Sequence, residues 1–214
     1  MLISEFDYHL PDELIAQKPL PNREDSRMLA VDRSRGSLKD NSFRAFPEYI
    51  RDGDVIVLNN TKVFPARLIG KSETGARVEL FLVENIGGQI WEALAKPAKR
   101  LKPGKRLTFR TGLSATVTQG PINGRVLAEF DVQGDLLDVL EEVGRTPLPP
   151  YIKRDEDSAH NDRSRYQTVY AKQRGAIAAP TAGFHFTPEI LDEVRKRGAD
   201  LVEITLHVGY GTFE

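Results

Sequence analysis

From about Val63 to Val132 the chain changes period, and this stretch constrains the fold more than any other. Turn signals recur at Thr74-Gly75, Gly87-Gly88, Pro103-Gly104, Thr111-Gly112, Gly120-Pro121 and Asn123-Gly124. Between them lie short β-prone runs: Ala66–Gly70, Ala76–Glu84, Gln89–Lys96, Arg106–Phe109, Leu113–Thr118 and Arg125–Val132. Strands at this spacing predict a small barrel or sandwich. The runs also alternate. In Arg77-Val-Glu-Leu-Phe-Leu, Val78 and Leu80 share one face and Arg77 and Glu79 the other. The flanks read differently, so the expected architecture is an α/β (α+β) domain with an inserted small all-β barrel domain. Residues 1–62 plus 147–214 form the first, discontinuous domain and 63–146 the insertion.

On the N-terminal side, Leu10–Ala16 reads as a short proline-started helix ended by Lys18-Pro19. Arg27–Asp32 reads as a strand turning at Arg33-Ser-Arg-Gly36, and Pro47–Ile50 as a helical turn. Asp54–Asn59 has a continuous apolar centre, which suits a strand covered on both faces. Asn59-Asn60-Thr61 ends it with polar side chains, where open α/β sheets place binding groups, although the same residues are ordinary turn formers. After the barrel, Asp135–Val143 is an amphipathic helix with Leu136, Val139, Leu140 and Val143 on one face and Gly144 as its stop. Pro147–Ile152 is a stiff, extended linker, and Asp155–Arg165 an exposed loop. Pro188–Arg197 is a helix with Ile190, Leu191 and Val194 inward. Leu201–Val208 is an alternating strand.

Composition narrows the function classes. With 40% hydrophobic and 29% charged residues over 214 positions, the chain is expected to fold. No apolar run approaches the ~18 residues that a membrane helix needs, and no charged-then-apolar stretch at the start reads as a leader, so none is expected. Cysteine is absent, which excludes disulfides, thiolate metal sites and thiol nucleophiles and fits a reducing cytoplasm. A net charge of −1 gives no overall basic field, so any argument for nucleic acid is local. Such a locality exists. Between Glu92 and Glu129 the chain has no acid, yet it carries Lys96, Lys99, Arg100, Lys102, Lys105, Arg106, Arg110 and Arg125. A cationic barrel face can neutralise phosphates, and a solvated loop that resists aggregation has the same composition.

The stretch Tyr166–Tyr170 and Ala178–Thr187 concentrates the chemistry. His185 sits between Phe184 and Phe186, after Ala178, Ala179, Ala182 and Gly183, which allow close approach of backbone or ligand. If 184–186 is extended, the two rings face one way and the imidazole the other. Thr187-Pro-Glu189 reads as an N-cap, a first-turn proline and an acid at the positive helix end. The same features describe a buried turn with a structural histidine. His9, His160, His185 and His207 lack close ligand spacing, so no metal site is expected. No Gly-x-Ser-x-Gly elbow and no Walker loop occur. Gly209-Tyr-Gly211 fails as a dinucleotide loop, because the third glycine position is Glu214. Two histidines beside glycines remain as general acid or base candidates.

Several segments together resemble one family. They are Phe6-Asp-Tyr with Leu10–Gln17, Asn59–Arg67, Pro147–Ile152, Arg165–Ala171, Ala178–Phe186 and Thr205–Phe213. In this order they are similar to the S-adenosylmethionine:tRNA ribosyltransferase-isomerases of queuosine biosynthesis, with Phe184 where leucine is usual and Lys62 where arginine is usual. Members continue past the Gly-Thr-Phe segment, so the resemblance implies a C-terminally truncated chain. It implies transfer and isomerisation of the ribosyl moiety of S-adenosylmethionine onto 7-aminomethyl-7-deazaguanine in tRNA, giving epoxyqueuosine, adenine and methionine. S-adenosylmethionine is then a co-substrate, and no cofactor is expected. The implied chemistry starts with loss of a C5′ proton acidified by the sulfonium and needs an acid for adenine departure. His185 and His207 are the candidates. Tyr166, Gln167 and Thr181 are candidate purine binders, and Arg67 or Arg165 a partner for the donor carboxylate. Lys96, Lys99, Arg100, Lys102, Lys105 and Arg106 are candidate tRNA contacts. A cytoplasmic monomer is expected. A non-catalytic tRNA-binding module and a truncated inactive homologue stay open as alternatives.

Overall fold

The computed structural model describes residues 1–154 and 162–213. Strands β1 (Arg27–Asp32) and β2 (Ser37–Ser42) form an antiparallel hairpin, and β3 (Val55–Asn59) and β4 (Thr61–Val63) follow. The chain then enters a closed antiparallel barrel of β5 (Arg67–Ser72), β6 (Arg77–Gly87), β7 (Ile90–Lys96), β8 (Arg106–Thr108), β9 (Ser114–Ile122) and β10 (Arg125–Asp131). Around the barrel the order is β10-β7-β6-β5-β8-β9, so closure leaves the sheet no edge. Alternation fills the interior: Leu68, Leu80, Leu82, Ala93, Leu107, Val117 and Ala128 have no exposed surface. Helix α1 (Leu136–Val143) starts at Asp135, whose carboxylate accepts from the Leu137 amide at 2.9 Å, and adds Leu136, Leu140 and Val143 to this core. The two ends of the excursion are tied together. Arg67 N–H donates to the Arg145 carbonyl at 3.2 Å, and Arg145 N–H returns to Arg67 at 2.8 Å.

The remaining elements form the α/β part. After the short helix α2 (Asp162–Arg165), β11 (Gln173–Ala176) pairs in parallel with β4. Helix α3 (Pro188–Lys196) carries the chain back so that β12 (Asp200–Ile204) lies parallel to β3, from Val55 opposite Asp200 to Asn59 opposite Ile204. Thr187 caps α3 by accepting from the Ile190 amide at 3.3 Å. Its inward residues Ile190, Leu191 and Val194 pack with Phe43, Leu58 and Phe186. The molecule is therefore an α/β layer with a small barrel, the class that the strand spacing predicts.

Several local expectations are corrected. Leu10–Ala16 is no α-helix but a single 3-10 turn at Asp12–Leu14, with no buried side chain to hold more turns. Strand β3 is covered on one face only. Ile56 and Leu58 meet the α3 side, whereas Val55 and Val57 stay 56% and 59% exposed. Strand β12 ends at Ile204; Val202 and Ile204 on it, and Leu206 just beyond it, lie outward. Its pairing stops there because Asn59 supplies a side chain in place of backbone. The Asn59 amide donates to the Leu206 carbonyl at 2.9 Å and accepts from its N–H at 3.0 Å. Gly144 ends α1 with φ −79°, so a left-handed turn is not its reason. A side chain there would run into the Pro65 carbonyl, so close approach explains the glycine. Phe184-His185-Phe186 is not extended, since Thr181–His185 is a 3-10 turn. Its rings part: Phe184 joins Tyr166, and Phe186 joins Phe43 and Phe46. Asp162–Arg165 is helical with Asp162 buried, rather than exposed loop, while 155–161 and His160 lie outside the described residues.

Candidate functional site

One cavity of about 290 Å³ is walled by three stretches that are far apart in sequence. They are the segment from Ala16 to Ser26, the linker from Leu148 to Arg154 with α2 and Tyr166, and the turn bearing Thr181, Phe184 and His185. Cross-links hold the walls. Gln17 donates its side-chain amide to the Tyr151 carbonyl at 3.0 Å and accepts from the Lys153 N–H at 2.7 Å. Arg154 grips both carboxylate oxygens of Asp162, Nε reaching Oδ2 at 2.9 Å and Nη2 reaching Oδ1 at 3.1 Å, and also donates to the Gln17 carbonyl. A largely buried pair with both partners satisfied fixes geometry more than it adds stability.

The lining is aromatic on one side. Tyr166 packs edge-on against Phe184 with centroids 5.4 Å apart. Burial pushes the Tyr166 phenol up from its ordinary value, partly offset by the Ala179 backbone. It therefore stays neutral, a hydrogen-bonding ring near neutral pH. The His185 ring tilts on Phe43 at 5.3 Å, is half-buried, and meets no hydrogen-bond partner among the described residues. Thr181 is exposed at the rim. Arg23 reaches the Phe184 and Ser164 carbonyls at 3.1 and 2.9 Å, and Arg165 the Pro21 and Leu20 carbonyls at 3.3 and 2.6 Å. Four residues expected from sequence thus meet in one place: Arg165, Tyr166, Thr181 and His185.

The other expected residues stand apart. The Gln167 side chain accepts from the Val63 N–H at 3.1 Å and donates to the Val63 carbonyl at 2.6 Å, so both its polar atoms hold β4. Arg67 lies on the barrel, 3.0 Å from the Glu79 carboxylate, and lines a different cavity of about 330 Å³. His207 belongs to a polar cluster at the ends of β3 and β12. Its Nδ1 is 2.7 Å from the hydroxyl of fully buried Thr61, and its ring lies over Gly175, whose φ of +152° and missing side chain leave room for it. Alongside, Lys172 donates to Glu203 at 2.6 Å, Asn60 to Glu203 at 3.1 Å, and Thr205 to Asn60 at 2.7 Å.

The six barrel cations are all exposed. Glu73 stands 3.4 Å from Lys105 and Asp131 3.4 Å from Arg106, acids that are distant in sequence and adjacent across the barrel. Lys96, Lys99, Arg100 and Lys102 meet no carboxylate among the described residues. Lys99, Arg100 and Lys105 line a groove of about 500 Å³ with Ser72 and Thr74. Among the described residues no three His, Asp or Glu side chains converge as metal ligands would. Sequence reasoning missed Lys18, Arg23, Arg154 and Asp162. The signals for that part of the cavity were Gln17 and residues 148–152, inside family-like segments.

Fold and site together define an α/β protein that carries a basic β-barrel beside an aromatic, guanidinium-bordered cavity. A family model described as queuosine biosynthesis protein matches residues 3–214, and the chain belongs to that family. It is 49% identical over 215 residues to an S-adenosylmethionine:tRNA ribosyltransferase-isomerase of Syntrophotalea carbinolica, covering 100% of this chain and 62% of the relative. The chain thus spans less than two thirds of that relative's length. A solved S-adenosylmethionine tRNA ribosyltransferase of Thermotoga maritima is 33% identical, with a TM-score of 0.39, over 96% of this chain and 58% of that one.

Proposed function

We propose that this chain provides the donor pocket and the RNA-binding barrel of a ribosyltransferase-isomerase. The enzyme transfers and isomerises the ribosyl moiety of S-adenosylmethionine onto 7-aminomethyl-7-deazaguanine in tRNA, releasing adenine and methionine and leaving epoxyqueuosine. The observation that carries this reading is the convergence of Arg165, Tyr166, Thr181 and His185, from two family-like segments, on one aromatic cavity. Its volume lies near the lower bound for small-molecule sites, about 300 Å³, and suits one planar base with its sugar. Tyr166 and Phe184 offer ring faces and edges for a purine, and Thr181 a hydroxyl at the rim. The open nitrogens of His185 suit removal of the C5′ proton beside the sulfonium or its return to the leaving adenine.

His207 stays in the reading as the second proton carrier, with Thr61 holding its Nδ1. Gln167 acts behind the pocket through β4, and Arg67 serves from the neighbouring cavity. The division into 1–62 plus 147–214 and 63–146 belongs to the same reading, and the paired Arg67 and Arg145 backbones at the neck support it. So does a cytoplasmic monomer that uses tRNA and S-adenosylmethionine without a cofactor. Among the described residues no helix is long and apolar enough to cross a membrane.

Incubation with S-adenosylmethionine and tRNA should form adenine and methionine only when the tRNA carries 7-aminomethyl-7-deazaguanine. RNA binding with neither product would favour a non-catalytic module. Adenine release that ignores the tRNA would overturn the proposed reaction.

A further inference from the structure

Arg23 and Arg165 cross-link two segments reciprocally. Arg23 reaches from the Arg23–Asp25 turn to the carbonyls of Ser164 and Phe184, and Arg165 reaches from α2 to those of Leu20 and Pro21. All four acceptors are neutral. Among the described residues neither guanidinium meets a carboxylate, and Asp162, the one described acid lining the cavity, is gripped by Arg154. Lys18 borders the same cavity and makes no ion pair among the described residues. Burial pushes the Arg23 guanidinium down from its ordinary value, and the Arg165 charge pushes it further. A clasp that only joined two segments would work with neutral amides. Here two like charges are held close, partly out of water, with donors to spare, since each guanidinium has five N–H groups and these bonds occupy two.

We propose that Arg23 and Arg165, with Lys18 at the rim, form a seat for an anionic oxygen group, a carboxylate or a phosphate, at the edge of the aromatic cavity. A planar guanidinium fork fits either group in a bidentate manner. Position supports it. Lys18, Leu20 and Arg165 border both the aromatic cavity and a second cavity of about 690 Å³, so a ligand with its ring in the first turns its charged tail toward the seat. This rests on the donor reading above for the carboxylate of the amino-acid tail. The alternative source is an RNA phosphate.

Equilibrium binding to this chain tests the seat with three probes: S-adenosylmethionine, its decarboxylated analogue and inorganic phosphate. The wild-type chain should prefer S-adenosylmethionine to the decarboxylated compound by roughly 10- to 100-fold, the scale of a charge-assisted hydrogen bond. Arg23→Gln should erase that preference while keeping affinity for the decarboxylated compound. If phosphate is the true occupant, both nucleosides bind alike and phosphate binding falls in Arg23→Gln. Lys18→Gln, which removes no hydrogen bond among the described residues, should weaken the anionic-group probe, S-adenosylmethionine or phosphate, several-fold relative to the decarboxylated analogue, and guards against a misfolded Arg23 variant. Unchanged affinity for every probe in both variants, with only a lower melting temperature for Arg23→Gln, reduces the pair to a structural clasp and overturns the proposal. Arg23-dependent phosphate binding without binding of either nucleoside would keep the seat and remove the donor reading instead.

Discussion

His185 and His207 present opposite environments to the same side chain. The His185 ring is half-buried against Phe43 with its nitrogens unengaged by described residues, whereas His207 satisfies the hydroxyl of a threonine with no exposed surface. Removing a sole partner from a buried hydroxyl costs about 1–3 kcal/mol. His207→Ala should therefore lower the melting temperature, and a further fall in turnover of the remaining folded enzyme would give it a proton-transfer role. If the proposed reaction holds, His185→Ala in the full-length context should keep S-adenosylmethionine affinity and lower turnover by about 10²–10⁴-fold, the range for losing a general acid or base. A folded His185→Ala enzyme with normal turnover would end its catalytic assignment. Both histidines were legible as candidates from their glycine-flanked motifs. The bond between Thr61 and His207 was not, because it joins residues 146 positions apart.

At the scale of elements, local period was readable and long-range competition was not. The barrel strands emerged from alternation and turn residues, which depend on neighbours in sequence. The early end of β12 depends on Asn59, on another strand, out-competing backbone pairing for Leu206. The cavity wall was hidden for the same reason: Gln17 meets Lys153 across 136 positions. Where β3 meets β12, Glu203 is held below the usual carboxylate range by Lys172 first and Asn60 second. A carboxylate with a depressed folded pKa contributes stability above its unfolded pKa, about 4.3, and that contribution is lost as pH falls through the folded value. Glu203→Gln should thus reduce stability at pH 7 and have little effect once acid has protonated the wild-type group. Urea unfolding at both ends of that range measures it. An equal loss in acid would point to lost packing rather than lost charge.

Over the whole molecule, near-neutrality conceals a division of charge. The chain carries a net −1, yet the barrel strands and their loops, residues 67–131, hold eleven Lys or Arg and six Asp or Glu. The excess is concentrated where Lys96, Lys99, Arg100 and Lys102 meet no carboxylate among the described residues. Lys105 and Arg106 are partly neutralised by Glu73 and Asp131. Exposed pairs of this kind contribute about 0–1 kcal/mol, so they cost little to exchange for phosphates. Phosphate neutralisation releases counterions, and log affinity then falls with log salt by about 0.7–0.9 for each contact. Changing Lys99 and Arg100 together to Gln should weaken tRNA binding and flatten this slope by about one to two. The same double change at Lys105 and Arg106 should act to a similar or slightly smaller extent, because exchanging their exposed pairs for phosphates costs so little. Both changes should act alike on modified and unmodified tRNA, since phosphate contacts carry no base information. An unchanged slope for the Lys99 and Arg100 variant would return the run to a solvated loop. A loss confined to the modified tRNA would instead put these residues at the nucleobase and not on the backbone.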